Sequence, residues 1–195
     1  MKSVGVYCGS AEGTRPRYLE ISKQVGRALA TRDLELVYGG AKIGLMGAMA
    51  DAALEAGGRV FGVLPAALSK VEIAHPGLTE FRVAGSMHER KAMMAMRSDA
   101  FVALPGGYGT LDEIFEALTW AQVGIHQKPC ALLNVDGFFD SLIEYLDHAT
   151  SEGFIRPMHR PMLLVETDFE RLLDRLQLHF PASNAPIMSA HSVEA

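Results

Sequence analysis

Short apolar runs alternate with longer amphipathic ones along almost the whole chain. Ser3–Tyr7, Leu34–Tyr38, Arg59–Leu64, Ala100–Leu104, Ala131–Asn134 and Leu163–Val165 are brief and rich in Val, Leu and aromatic residues, and they predict strands. Between them, Tyr18–Thr31, Leu45–Ala56, Met87–Arg97, Leu111–Gly124, Phe138–Ser151 and Asp168–Leu178 repeat their apolar positions at helical spacing. The strands lack strict polar alternation, as expected of strands buried on both faces of a parallel sheet. The β-α order therefore predicts an α/β fold, a doubly wound, Rossmann-like parallel sheet in a single domain spanning 1–180. Leu68–Phe81 has no clear period and reads as a long loop. Residues 181–195, "PASNAPIMSAHSVEA", also lack a period and read as a flexible C-terminal tail.

Composition narrows the class without changing it. At 195 residues the chain suits one domain with a sizeable core. A net charge of −5 argues against a nucleic-acid-binding face, which needs a basic stripe. No apolar run approaches the roughly 18 residues of a membrane span, so the expectation is a soluble, cytoplasmic protein with no membrane partner. Two cysteines, Cys8 and Cys130, are too few and too far apart for a disulfide framework or a cysteine zinc site, and reduced thiols are expected.

The candidate chemistry lies in loops after strands, where ligands of open parallel sheets bind. "CGSAEG", "YGGAKIGLMG" and "PGGYGT" each place glycines between a strand and a helix. Glycine lets backbone amides approach an anion closely, and a helix N-terminus adds its dipole. None of the three is a dinucleotide fingerprint, because Asp112 stands where the last glycine of G-x-G-x-x-G would fall after Gly107 and Gly109. No ATPase phosphate loop occurs either. All three could also be tight turns that let a helix pack near the sheet.

Beyond "PGGYGT" comes a burst of acids: Asp112, Glu113 and Glu116. Thr110 followed three residues later by Glu113 has the spacing of a capping box, in which the carboxylate folds back onto the Thr110 amide. By spacing alone that is the favoured role of Glu113. The preceding helix, "SMHERKAMMAMR", has the opposite sign with Arg90, Lys91 and Arg97, above methionines that read as a core stripe. His88-Glu89 does not begin H-E-x-x-H, since Ala92 stands where the second histidine belongs, and no metal is expected.

"MHERK", "PGGYGTLDE" and "LTWAQ" together resemble the LONELY GUY (LOG) family of cytokinin riboside 5′-monophosphate phosphoribohydrolases, once mislabelled lysine decarboxylases. The similarity runs from "VGVYCGS" through "NVDGFFD" to "GFIRPMHR", with Ala41 standing where a third glycine is common. The resemblance implies that Arg90 and Glu113 are the catalytic pair. It also implies a substrate-binding set of Ser10, Glu72, Met87, Lys91, Gly106, Gly107, Tyr108, Gly109, Thr110 and Glu116, with Lys91 and the glycine loop on the 5′-phosphate. The implied reaction hydrolyses the N-glycosidic bond of an N6-modified AMP, with no cofactor. A homodimer is expected from the methionine-rich α-helical face and from the resemblance. Two other readings stay open: a broader AMP or purine-ribotide nucleosidase, and a non-catalytic nucleotide or cofactor carrier on the same scaffold. A pyridoxal-phosphate decarboxylase would need a Schiff-base lysine among only six lysines, and Lys91 is better explained otherwise.

Overall fold

The computed structural model of the protein describes residues 1–69 and 73–180. Glu72 and the expected tail at 181–195 lie outside the described residues. Among the described residues, seven parallel strands form one sheet: β1 (Ser3–Tyr7), β2 (Glu35–Tyr38), β3 (Val60–Pro65), β4 (Glu80–Ala84), β5 (Ala100–Ala103), β6 (Cys130–Leu133) and β7 (Leu163–Glu166). Their spatial order is β4-β3-β2-β1-β5-β6-β7. The helices are α1 (Pro16–Thr31), α2 (Gly44–Glu55), the short α3 (Ala66–Ser69), α4 (Met87–Arg97), α5 (Tyr108–Gln122), α6 (Asp140–Ser151) and α7 (Phe169–His179).

Alternation along each strand sends successive side chains to opposite layers. Val4, Val6, Leu36, Tyr38 and Val102 pack beneath Val25 and Leu29 of α1, Met49 of α2 and Leu172 and Leu176 of α7. Tyr7, Val37, Phe61, Val63 and Phe101 pack on the other side with Met94 of α4, Ile114 of α5 and Leu146 of α6. This two-sided cover is why the strands read as apolar runs. At about 1.5–3 kcal/mol per buried large apolar side chain, the two layers supply the main force holding the sheet.

The sequence expectations need correcting in three places. The segment expected to be a loop, Leu68–Phe81, is bounded by α3 and runs into β4, which pairs with β3 from Phe61↔Glu80 to Pro65↔Ala84. β4 is an edge strand whose residues Glu80, Phe81, Arg82 and Val83 are partly or fully exposed and only Ala84 is buried, so it lacks the apolar run that marks the others. Helix α5 begins at Tyr108, three residues before the expected Leu111, and α6 begins at Asp140 after a 3₁₀ turn at Val135–Gly137. Cys8 and Cys130 are both buried, each without a disulfide partner among the described residues.

The order of the strands decides where a ligand can sit. From β1 the chain builds outward through β2, β3 and β4, then crosses back to β5 on the other side of β1. Connections therefore leave β1 and β5 in opposite directions, opening a crevice above their carboxyl ends.

Candidate active site

The crevice is closed underneath by backbone contacts between its two flanking loops. Leu104 donates its N–H to Tyr7 O at 2.9 Å, and Gly9 donates to Pro105 O at 3.1 Å. Gly106 follows at a point with no room for a side chain. A Cβ there would overlap the Thr110 hydroxyl and lie 2.9 Å from Gly9 N. Thr110 is buried at this junction, so its hydroxyl packs inward and caps nothing.

Gly107 and Gly109 are different. A Cβ on either would meet nothing within 4 Å, and neither has a positive φ, so the fold alone does not require glycine at these positions. Gly107 is the N-cap of α5, and no side chain caps the helix. The first-turn amides of a helix have no intrahelical partners, and α5 starts just past the carboxyl end of β5 with no side chain capping it. An anion placed there would gain both these donors and the helix dipole.

Helix α4 brings two cations to the same place. It is capped by its own sequence: Ser86 Oγ accepts from Glu89 N at 3.1 Å, and the Glu89 carboxylate accepts from Gly85 N at 2.5 Å. A variant of the capping arrangement expected at Thr110 and Glu113 is therefore found one helix earlier, at Ser86 and Glu89, with the carboxylate on the amide of Gly85 in place of that of Ser86. Glu113, freed from that role, accepts from Arg90 Nη1. The two side chains are only 10% and 11% exposed, so the ion pair is shielded from solvent. Arg90 also donates from Nε to Val63 O of β3 at 3.1 Å and from Nη1 to Met87 Sδ at 3.7 Å. Gly39, after β2, leaves the space its guanidinium occupies, because a Cβ there would overlap Arg90 Nη2.

Burial pushes the Glu113 carboxyl above its ordinary value of 4.5, and the charge and hydrogen bond of Arg90 pull it down without cancelling that push. Tyr7, stacked on Phe101 with centroids 6.0 Å apart, is raised by burial first and by Glu113 second, and stays a neutral phenol. Lys91 is equally enclosed but does not point to the glycine loop. Its ammonium lies 3.0 Å from Asp112 and 3.0 Å from Glu116, both on α5. Burial alone would pull its pKa down, yet the bonds to Glu116 and Asp112 leave it raised.

The structure thus gathers Arg90, Lys91, Glu113, Glu116 and the glycine loop where α4 and α5 face each other. Ser10 follows the end of β1 and is exposed, Met87 is 46% exposed in the first turn of α4, and Tyr108 is almost wholly exposed. Three participants had no part in the expected site: Asp112, Gly39 and the Val63 carbonyl. Only Asp112 had a sequence signal, standing four residues before Glu116 so that both fall on one side of α5. Among the described residues, no group of three or more His, Cys, Asp or Glu side chains could hold a metal ion. No helix among them is long and apolar enough to cross a membrane.

Residues 46–176 match a protein family described as "possible lysine decarboxylase". The chain is 50% identical over 170 residues to a cytokinin riboside 5′-monophosphate phosphoribohydrolase of Rhodococcoides fascians, covering 87% of this chain and 86% of that one. It is 46% identical over 180 residues to the cytokinin riboside 5′-monophosphate phosphoribohydrolase LOG7 of Arabidopsis thaliana, covering 92% and 83%. Among solved structures, the molybdenum cofactor carrier protein of Chlamydomonas reinhardtii superposes with a TM-score of 0.69 at 26% identity, covering 91% of this chain and 97% of that one.

Proposed function

We infer that this chain, which belongs to the LONELY GUY (LOG) family described as "possible lysine decarboxylase", hydrolyses a cytokinin riboside 5′-monophosphate to free base and ribose 5-phosphate. It is a hydrolase acting on N-glycosyl bonds. The observation behind the chemistry is the shielded Arg90–Glu113 pair, about one and a half helical turns beyond an uncapped glycine helix start at the sheet's switch point.

In this reading the 5′-phosphate sits on the amides of Gly107, Tyr108, Gly109 and Thr110, at the positive end of α5. That fixes the ribose with C1′ near Glu113, and fixed placement lowers the barrier before any bond breaks. The bond from C1′ to the purine nitrogen then lengthens, its electron pair leaving with the base. Positive charge grows on the ribose ring, and the Glu113 carboxylate stabilises it. A water adds to C1′ on the open face and gives its proton to Glu113; that proton then passes through solvent to the ring nitrogen of the departed base, which restores the carboxylate. Arg90 holds the carboxylate in place through a charge-assisted bond. Ser10, Met87 and Glu72 complete the proposed pocket, Glu72 by the resemblance alone.

A decarboxylase would need a neutral lysine for its Schiff base. Lys91 is held charged by two carboxylates, which is the wrong state for that chemistry. The carrier reading draws on the fold shared with the molybdenum cofactor carrier protein, at roughly half the identity of the named hydrolases. A carrier has no use for a shielded acid beside the ligand, so the ion pair favours hydrolysis. We further propose a cytoplasmic homodimer. Val83, Met87 and Met96, on β4 and α4, leave 52%, 46% and 76% of their surfaces uncovered, which is apolar area a partner copy would bury. Light scattering should give twice the chain mass of 21.1 kDa, and a fully active monomer would exclude the dimer.

The test of function is release of base from N6-isopentenyl-AMP, with AMP beside it. Equimolar base and ribose 5-phosphate support the reading. Tight binding of the ribotide without turnover would support the carrier instead, and equal rates on AMP would widen the substrate class to purine ribotides.

A further inference from the structure

Two acids of α5 flank Glu113 in sequence, and both end on one cation. Asp112 and Glu116 stand four residues apart, so the Lys91 ammonium grips two successive turns of α5, at 3.0 Å each. The adjacent residue of α4, Arg90, grips Glu113 between them. The Lys91 side chain is 9% exposed, while the Asp112 side chain is 60% exposed, so the cation is the enclosed partner. An ammonium has three donors, and two are already committed here to carboxylates.

We propose that Lys91 is a positioning residue acting through α5, whose two turns it ties to α4 so that Glu113 is set against Arg90, and that the substrate phosphate is held by the α5 amides without it. The proposal deepens the hydrolase reading and rests on it for its kinetic readout, but not for its spectroscopic one.

The groups facing Glu113 fix the signs. Arg90 and Lys91 on α4 favour its ionised form, and Asp112 on α5 opposes it. Tyr7 on β1 and Cys8 just beyond are both held neutral by burial, with Glu113 adding to the effect. Glu116 bears on this set through Lys91. Removing the positive charge of Lys91 must therefore make Glu113 harder to ionise. Removing the negative charge of Asp112 must make it easier.

The experiment compares Lys91→Met and Asp112→Asn with the wild type in two ways. The first is kcat and KM against pH for N6-isopentenyl-AMP and for its riboside. The second is a carboxyl ¹³C NMR titration of Glu113 in the unliganded protein. The proposal expects the acid limb and the Glu113 titration to move up in Lys91→Met and down in Asp112→Asn, each by about half a pH unit or more. It expects the loss in Lys91→Met to fall on kcat, with the preference for ribotide over riboside held to within about threefold. A phosphate ligand behaves differently: Lys91→Met would raise the ribotide KM about tenfold or more, collapse the preference and leave both titrations in place, which would overturn the proposal. If Lys91→Met does not fold, Asp112→Asn decides alone, since a Glu113 titration that stays put or moves up contradicts the scheme. A wild type that releases no base would sink the hydrolase reading, and the NMR titration would still judge the role of Lys91.

Discussion

Replacing Glu113 by Gln removes one charge and keeps the side chain's shape, and two opposed effects on stability can be worked out. The folded state raises the Glu113 pKa, so its ionised form is disfavoured there. Stability from this group is present below the unfolded pKa and is lost as pH rises through the folded one. At neutral pH the substitution relieves that cost. Against it, Arg90 loses its counter-charge while keeping Val63 O and gaining only a neutral amide oxygen. Leaving a buried charged donor less well paired costs about 1–3 kcal/mol. The two effects oppose, so the thermal midpoint should shift by only a few degrees, at about 2–4 °C per kcal/mol for a chain of this size. Turnover has no such compensation. A positioned acid–base group contributes about 10²–10⁴-fold, equivalent to about 3–5 kcal/mol of barrier. Base release from N6-isopentenyl-AMP under saturating and limiting conditions should show kcat reduced by that factor with KM little changed. A Glu113→Gln enzyme within about tenfold of the wild-type kcat would refute the catalytic role of the carboxylate.

The other predictions concern its surroundings. Gly107→Ala should leave the melting temperature within about a degree, because its Cβ meets nothing, yet should lower kcat/KM for the ribotide by about tenfold or more while sparing the riboside; an unaffected ribotide would remove the phosphate from this loop. Gly39→Ala should push the Arg90 guanidinium out of place and reduce kcat by about tenfold or more, with a free guanidinium derivative restoring little activity because the slot itself is filled; wild-type kcat would show that Arg90 has another way to reach Glu113. The kcat/KM profile should fall on its acid side with a limb above pH 4.5, since burial raises the group that must be ionised; a limb below that value would assign it to another residue.

How far the sequence revealed these features depends on the kind of signal each leaves. β1 and α4 were legible to the residue. β1 is a buried run between turns, and α4 starts at a Ser86 cap and ends before Ser98-Asp99. β4 was not legible, because an edge strand with Glu80 and Arg82 exposed leaves no apolar run to read. The start of α5 was misplaced for a related reason. Its N-cap is Gly107 with no side-chain bond, so it lacks the cap chemistry that marks a helix start, and Thr110-x-x-Glu113 supplied a false mark inside the first turn. Contacts between helices were the least visible. Arg90 and Glu113 lie 23 residues apart, and their pairing depends on α4 and α5 lying side by side over β3 and β5. The charges of Lys91, Asp112 and Glu116 could all be read, but which met which could not. Gly39 looked like one glycine of a turn, and only the folded chain shows the guanidinium beside it.

The central claim is that an anion held at the start of α5 places a ribose against Glu113, and one paired assay addresses it directly. Base release is measured from N6-isopentenyl-AMP and from the matching riboside, with the same enzyme and at the same pH. On this proposal, charge-assisted bonds of about 1.5–3 kcal/mol each would link the phosphate to the loop. Losing two or three should lower kcat/KM for the riboside by at least about a thousandfold, at a factor of ten per 1.4 kcal/mol. Equal cleavage of the two would contradict the account, because the Gly107–Thr110 amides would then hold no phosphate and Glu113 would lack the anchor that brings the sugar to it.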